Sequence, residues 1–255
     1  MATSEENFCL SIQHPLQIQS HQLSRLQLIP TKPEIIWFGT TMSLRCLQGL
    51  DLGLHVGNNI IKPVDVVREL GVLLDFKSTM IKHISKITSV CFYHLRRLKQ
   101  VRRLLGPDIT ARLVSAFVLS RLNYCNSILA GLPQSTTNSL QGVQNAVARL
   151  IKSLGPRDHI TPALRELHWL PIKHRVIYKL CLFMHAVHVG RCPGYIADIV
   201  TPTSSLPGRD RLRSAAGNRY ELPAIHHKLG ERAFSHAGLG SLEQFAFTYH
   251  SDNRH

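Results

Sequence analysis

Acidic residues are scarce in this chain of 255 residues. Asp and Glu together number 16 against 30 Lys and Arg, which gives a net charge of +14 with His counted as neutral and an isoelectric point near 9.9. Such an excess of positive charge favours partners that carry phosphates or anionic head groups. The hydrophobic content of 44% supports a packed core and excludes a fully disordered chain.

The chain also lacks an apolar run long enough to span a bilayer. The most apolar stretch, Val176 to Val189, is short and is interrupted by Lys179. The first residues include Glu5 and Glu6 where a signal peptide would carry basic residues. We therefore expect an intracellular protein, nuclear or cytoplasmic, with no signal peptide, no transmembrane segment and no membrane partner.

Paired cysteines are missing as well. The six cysteines are spread along the chain and never form Cys-x-x-Cys, which favours reduced thiols over a disulfide framework. Cys181, His185, His188 and Cys192 share one helical face, but in a straight helix the outer two lie roughly 16 Å apart and cannot hold one tetrahedral ion. We expect no metal and no cofactor.

Alternating apolar residues predict a small β meander between residues 34 and 74. The pattern indicates strands at Glu34–Gly39, at the alternating Leu52, Leu54 and Val56, and at Ile60–Val66 and Val67–Leu74, with a turn at residues 57–59.

After Asp75 the apolar period changes to between three and four, which predicts helices. The first carries an apolar stripe and stops at Gly106-Pro107. The stripe comprises Ile84, Ile87, Cys91, Leu95, Leu98, Val101 and Leu105. A second helix starts near Asp108, with a buried face at Leu113, Phe117 and Tyr124.

Two further helices follow. One comes after Pro133, with a cap at Ser135 and an inward face at Leu140, Val143, Val147, Leu150 and Ile151. The other starts at Pro171 and extends to about Val189. From Thr201 the chain is rich in Pro, Gly, Ser and Arg, which is typical of an irregular tail.

Positive charge is concentrated between residues 77 and 121, where one acid, Asp108, stands against ten basic residues. Arg96, Lys99 and Arg103 recur at helical spacing and form a row beside the apolar stripe, which could make five or more phosphate contacts. The alternative is a solvated helix face. The predicted nucleic-acid-binding residues are Lys77, Lys82, Lys86, Arg96, Arg97, Lys99, Arg102, Arg103, Arg112 and Arg121.

Several strings resemble LINE-type (non-LTR retrotransposon) reverse transcriptases. LSRLQLIPTKPEIIWFGT, residues 23–40, is similar to the stretch after the catalytic aspartates of that family, and VRELGVLLD looks like its next strand. The similarity continues through HLRRLKQVRRLL, RLNYCNSILAGLP, LQGVQNAVARLI, HWLPIKHRVIYK and GERAFSHAG, over about residues 21 to 238. Ile29 and Pro33 depart from the family's LNP-x-KT turn, and the chain also departs from the family after Gly238.

Together, the apolar pattern and the resemblance predict a mainly α fold with a small β meander (α+β), in which a helical thumb-like bundle follows a short antiparallel sheet. The resemblance implies a palm remnant with the meander at 21–76, a thumb-like helical region at 77–155 and a post-thumb helical region at 156–200. Composition and the lack of periodicity predict a disordered N-terminus at 1–20 and an irregular basic tail at 201–255.

The resemblance also implies that catalysis is absent. Polymerases of this family hold two metal ions on palm carboxylates that lie upstream of the matching stretch. The chain has no adjacent Asp-Asp pair, and Asp51, Asp65 and Asp75 fall where the family holds no metal. We therefore expect a noncatalytic fragment with no catalytic residues, not an enzyme.

Three functions remain open at this point. The first is sequence-independent binding to the backbone of a duplex or an RNA–DNA hybrid. The second is a helical protein-interaction domain that uses the apolar faces of Leu140–Ile151 and Val176–Val189, with unknown protein partners. The third is a truncated element copy with no selected function. His168-Trp169 could stack on a base, although a tryptophan that closes a helical core is the commoner arrangement.

Overall fold

The computed structural model describes residues 34–39, 42, 45, 52–56, 59–205, 220–225 and 230–252. The chain is mostly helical, at 63%, with small antiparallel pairings ahead of the helices, which confirms the predicted fold class. It divides into two compact units, residues 1–83 and residues 84–255. None of the helices in the described ranges has both the length and the apolar character that a membrane crossing needs.

Two short hairpins form the sheet structure of the first unit. Strand β1 (Leu54–Val56) pairs with β2 (Asn59–Ile61), and β3 (Val66–Glu69) pairs with β4 (Val72–Asp75), both antiparallel. The segment predicted as a strand at Glu34–Gly39 forms an isolated bridge instead, in which the Val64 N–H donates to the Ile35 carbonyl at 2.8 Å, and the Gly39 N–H donates to the Phe76 carbonyl at 3.2 Å.

The predictions of one strand at Ile60–Val66 and one at Val67–Leu74 are wrong, because β2 ends at Ile61 and the chain reverses in the middle of the second range. Leu70 and Gly71 have φ angles of 46° and 86°, and positive φ at both central residues is the geometry of a tight hairpin turn that suits the twist of the strands. The turn separates β3 from β4 by two residues. Leu70 occupies the first turn position, where such turns prefer Asn, Asp or Gly, so the residue types did not mark the turn.

The carboxylate of Asp75, at the end of β4, organises the entry into the first helix, α1 (Ile81–Val114). It accepts hydrogen bonds from the Thr79 N–H at 3.0 Å, the Thr79 hydroxyl at 2.9 Å and the Met80 N–H at 2.9 Å. Backbone N–H groups ahead of a helix have no intrahelical partner, and this carboxylate satisfies two of them. Asp75 therefore has a structural role.

Helix α1 bends sharply at Gly106, where φ is 70° and ψ is 170°. The helical path is thus interrupted at the predicted position, Gly106-Pro107. Most of the predicted stripe is buried or half-buried, with Val101 as the exception at 41% exposure. Arg102 instead continues the line of Leu95 and Leu98 and is half-buried. The inner face thus turns polar one helical turn before the bend.

After α1 come a π-helical segment (Ser115–Leu119), the short helix α2 (Ser120–Asn123) and a 3₁₀ turn (Asn126–Leu129). The predicted buried face at Leu113, Phe117 and Tyr124 is wrong, because Leu113 is only half-buried and the other two are exposed. The buried register lies one position later than predicted and is already present at Thr110 and Val114, ahead of the π-helical segment. The buried positions of this stretch are Thr110, Val114, Val118, Leu119 and Leu122.

Helices α3 (Gln134–Lys152), α4 (Thr161–Glu166) and α5 (Ile172–His188) follow. Leu140, Val143, Val147 and Leu150 are buried as predicted, and Ile151 is half-buried. The predicted Ser135 cap is wrong, since Pro133 occupies the cap position and no side chain caps the helix. Two glutamines of α3 tie it to the start of α5.

Those two contacts are specific. The Gln144 side-chain amide donates to the Leu170 carbonyl at 2.8 Å, and the Ile172 N–H donates to the Gln141 side-chain oxygen at 2.9 Å. The second bond satisfies a backbone N–H at the N-terminus of α5. Pro171, at the cap position, has no side-chain acceptor for it. Gln144 is fully buried, so the contact lies within the core.

The irregular tail predicted at 201–255 is wrong in its last part. After helix α6 (Gly194–Ala197) and 3₁₀ turns at Thr203–Ser205 and Gly230–Arg232, residues Phe234–Asp252 form helix α7, which packs on α5. Met184 of α5, Val200 and Leu239 of α7 form a buried cluster. Gly238 permits this contact, because a Cβ there would lie 2.9 Å from the Met184 sulfur.

The expectations for residues 1–20, Asp51, the turn at 57–58 and residues 206–219 lie outside the described residues. The division of residues 77–255 into three segments stays a prediction.

Candidate nucleic-acid interface

Five exposed basic side chains line the outer face of α1 in the second unit, and we call them the basic row: Lys86, Arg96, Arg97, Lys99 and Arg103. At 3.6 residues per turn, this face is opposite the one that carries the buried Ile84, Cys91 and Leu95. Burial of the stripe therefore orients the row toward solvent.

Among the described residues, no acid pairs with the basic row. The sequence has no Asp or Glu between Asp75 and Asp108, and Asp108 lies beyond the bend. The ion pair that the described residues form, Lys152 with Glu166, lies elsewhere, between α3 and α4. Because like charges on one face repel each other, the row carries an electrostatic cost that an anionic ligand would remove.

The row is long enough for several phosphates. Lys86 and Arg103 are 17 positions apart, which spans about 26 Å of helix at 1.5 Å per residue. One strand of a duplex advances about 3.4 Å per phosphate along its axis. The row therefore matches the length of a phosphate backbone rather than that of a single small anion.

Three predicted residues lie outside the row. Lys77, in the turn after β4, is exposed with its Nζ 5.3 Å from the centre of the Phe76 ring, and Lys82 is exposed in the first turn of α1. Both belong to the unit formed by residues 1–83. Arg112 is exposed beyond the bend at Gly106.

The last two predicted residues point inward. Arg102 is half-buried and donates to the Ser153 hydroxyl at the end of α3. Arg121 is half-buried and donates to the Phe117 carbonyl at 2.6 Å. Each guanidinium has a structural partner, so neither is part of the exposed row.

Beside the row lie aromatic side chains that the sequence analysis missed. The Arg97 guanidinium lies 5.7 Å from the centre of the Tyr93 ring, which meets the His94 ring edge-on at 5.5 Å. The His94 ring stacks on Phe117 at 5.2 Å with an interplanar angle of 13°. We call Tyr93, His94 and Phe117 the aromatic ladder. Tyr93 and His94 stand just before Arg96 and Arg97 in the sequence, and this was the available signal.

Burial and Arg121 determine the charge state around the ladder. Partial desolvation, assisted by the charge of Arg121, lowers the pKa of His94, so its ring is neutral at pH 7. Burial raises the pKa of the Cys91 thiol to about 11, although Arg121 opposes this rise. Cys91 is thus a protonated core residue and not a nucleophile at neutral pH.

The other constellations noted in the sequence have ordinary packing roles. His188 Nδ1 lies 3.2 Å from the Tyr220 hydroxyl, and the Cys181 thiol donates to the Ser241 carbonyl at 3.6 Å. Across the described ranges no three His, Cys, Asp or Glu side chains come together as metal ligands. Trp169 is half-buried, with the Arg175 guanidinium 6.0 Å from its ring centre.

Comparison with known proteins found no matching family model, no matching curated protein and no matching solved structure.

Proposed function

We propose that this protein binds nucleic acid without sequence preference, through contacts between the basic row and a phosphate backbone. The observation that carries the proposal is the row itself, five exposed cations over about 26 Å of α1 with no acidic residue between Asp75 and Asp108. Contacts to phosphate position a protein on nucleic acid but read no bases, so binding of this kind is independent of sequence.

We further infer that the chain is a noncatalytic remnant of a LINE-type reverse transcriptase. The inference rests on the quoted strings, among which HLRRLKQVRRLL covers residues 94–105 and contains four members of the basic row. In the parent enzymes the thumb grips the primer–template duplex through its backbone, which is the same kind of contact. The proposal assigns no catalytic residue and no cofactor to this chain.

The protein-interaction alternative has less support. The two apolar faces that a partner would need are largely used inside the second unit, where Leu140, Val143 and Val147 of α3 are buried. Val176, Leu180 and Met184 of α5 are buried as well. The outer side of α5 still exposes the neighbouring Tyr178 and Leu182, but exposed apolar side chains are common on protein surfaces.

The test is a titration at several salt concentrations. Fluorescence anisotropy would follow binding of duplex DNA and of an RNA–DNA hybrid, each in two unrelated sequences. We expect similar affinities for the two sequences and a logarithmic salt slope of about −0.9 for each phosphate contact. In the variant Arg96→Glu/Lys99→Glu/Arg103→Glu the slope should become shallower by about three contacts, and affinity should fall for every sequence.

A matched control separates the row from net charge. Arg157→Glu/Arg165→Glu/Lys173→Glu makes the same change of charge at three exposed positions outside α1. It should bind nearly as well as the unchanged protein. Equal loss in both triple variants, or no loss in the first, would contradict the proposal. Magnesium-dependent incorporation of labelled nucleotides by the purified chain would contradict its noncatalytic part.

A further inference from the structure

We propose that the aromatic ladder is a stacking site for an unpaired base, so that the ligand of this surface is a nucleic acid with a single-stranded segment. The inference rests on the proposed function and adds to it a class of ligand. In the structure, Tyr93 and Phe117 are exposed by 50% and 41%, and Tyr93 lies against Arg97 of the basic row. Every base has a π face, so stacking on such rings tolerates any sequence.

Tyr93 lies where a ligand could stack a base on an aromatic ring and place a phosphate against the basic row. Arg97, a member of the basic row, lies four residues on and places its guanidinium 5.7 Å from the centre of the tyrosine ring. A backbone that follows the row would therefore carry its bases past the exposed side of Tyr93. An arginine beside an aromatic ring adds a cation–π contribution to the stack and a charge for the phosphate.

The ladder is held in place before any ligand arrives. The His94 ring stacks on Phe117 at 5.2 Å and meets Tyr93 edge-on at 5.5 Å, so each ring of the ladder contacts a neighbouring ring. Phe117 also stands in the π-helical segment Ser115–Leu119, a distortion that is frequent at functional sites. Rings whose rotamers are already restrained lose less entropy on binding.

The chemistry distinguishes an unpaired base from a paired one. Within a duplex both faces of each base are covered by its neighbours, so the phosphates remain accessible but the π faces do not. Single strands offer both, which is why proteins that bind them combine a basic track with aromatic side chains. The basic row should thus bind either form, whereas the ladder should contribute only where a base is unpaired.

The experiment compares three oligonucleotides on the full chain: a blunt duplex, the same duplex with an eight-nucleotide overhang, and a single strand. The variants are Tyr93→Ala, Phe117→Ala and the conservative Tyr93→Phe, with Tyr178→Ala as the control. Tyr178 lies on α5, is exposed by 50% and makes no described ring contact. Circular dichroism and thermal unfolding would check that each variant folds.

We expect the alanine variants to lose roughly 5- to 150-fold in affinity for the overhang and the single strand, in proportion to one stacked base. Affinity for the blunt duplex should change less than twofold, and Tyr93→Phe and Tyr178→Ala should behave as the unchanged protein. A 2-aminopurine placed in the overhang should lose fluorescence on binding to the unchanged protein and keep it with Tyr93→Ala.

Two results would overturn this inference and leave the proposed function standing. One is tight, salt-dependent binding of the duplex with no effect of Tyr93→Ala on the single strand. The other is an equal loss for duplex and single strand, which would assign Tyr93 a structural role. Failure of the unchanged protein to bind any of the three oligonucleotides would overturn the inference and the proposed function together.

Discussion

The stem of Arg232 lies directly against Gly131, so that a Cβ atom at position 131 would come within 2.8 Å of the arginine Cγ. The guanidinium donates to the carbonyls of Ala130 and Ile128, each at 3.2 Å. Gly131 has a φ of +67°, a conformation that side chains disfavour. A residue just before α7 thereby closes the 3₁₀ turn Asn126–Leu129, about a hundred positions earlier.

This contact predicts that Arg232→Ala destabilises the second unit. Two half-buried carbonyls lose a charged donor, and we expect a decrease of about 1 to 3 kcal/mol in the free energy of unfolding. Urea denaturation followed by circular dichroism would measure it. Arg157→Ala is the matched control, because Arg157 is exposed and its side chain makes no hydrogen bond with a described residue.

Gly131→Ala should act partly through the same arginine. The new methyl group must displace the Arg232 stem, and positive φ adds about 1 to 2 kcal/mol of backbone strain. In the Arg232→Ala background only the strain remains, so the effect of Gly131→Ala should be smaller there by about 0.5 kcal/mol or more. Strict additivity in the double-mutant cycle would show that the two residues act independently.

Two glycines should respond to alanine in opposite directions. Gly106 lies at the bend of α1 with φ 70° and ψ 170°, and a Cβ there would touch nothing within 4 Å. Gly106→Ala should therefore destabilise by about 1 to 3 kcal/mol through backbone strain alone. Gly142, inside α3, has equally open surroundings. Gly142→Ala should stabilise by about 0.5 to 1 kcal/mol, as thermal unfolding would show.

If Gly106→Ala were neutral, the bend would not need the left-handed conformation, and α1 would tolerate a continuous path through residue 106. Loss of stability in Gly142→Ala would mean that its surroundings are more crowded than the structure has them.

The Asp75 carboxylate should titrate below its ordinary value. Burial alone would raise its pKa, but hydrogen bonds from Thr79 and Met80 outweigh burial and lower the pKa below 3.8. Because its pKa is lower in the folded protein, ionised Asp75 stabilises the fold. This stabilisation is complete above the pKa of the unfolded chain, about 4, and is lost as the pH falls through the pKa of the folded protein. Amide shifts of Thr79 and Met80 in an NMR titration should report the lowered midpoint.

Asp75→Ala provides the complementary test. It removes all three hydrogen bonds, and we expect a local loss of about 0.5 to 2 kcal/mol, as for other helix-entry caps. Faster exchange of the Thr79 and Met80 amides would follow. Unchanged exchange of both amides would contradict the role assigned to Asp75.

His83 should titrate below 6.5. The residue is 4% exposed, and burial lowers its pKa, while Nδ1 accepts a hydrogen bond from the Leu73 N–H at 3.3 Å. The unfolded chain binds a proton at His83 more readily than the folded protein does. The free energy of unfolding is therefore unaffected by His83 above pH 6.5 and decreases as the pH falls toward the pKa of the folded protein. The ring proton signals of His83 would give the midpoint, and the same signals in urea should return to the ordinary value.

Much of the helical architecture follows from local sequence. Gly106-Pro107 breaks a helix in any context, because proline removes a backbone donor and glycine accepts positive φ. The prolines at 133 and 171 precede helices for the related reason that proline is suited to a helix start. The stripe through Cys91, Leu95 and Leu98 requires one buried face, and the basic residues therefore occupy the opposite one.

Other features were decided by tertiary structure. The register beyond the bend is that of the buried Thr110 and Val114, so Phe117 came out exposed and Val118 buried. Helix α7 forms where composition indicated an irregular tail, because its weakly apolar face is stabilised by packing on Met184 of α5. Most helical stability comes from such packing rather than from intrinsic propensity.

The candidate site also has features that the sequence determines and features that depend on tertiary structure. Charge, spacing and the absence of acids were readable from the sequence, and they predicted the exposed row of Arg96, Lys99 and Arg103. The position of the Arg102 side chain was not readable, because its guanidinium donates to the Ser153 hydroxyl, which lies 51 positions away in sequence. Contacts between residues distant in sequence depend on how the helices pack, and local patterns do not contain that information.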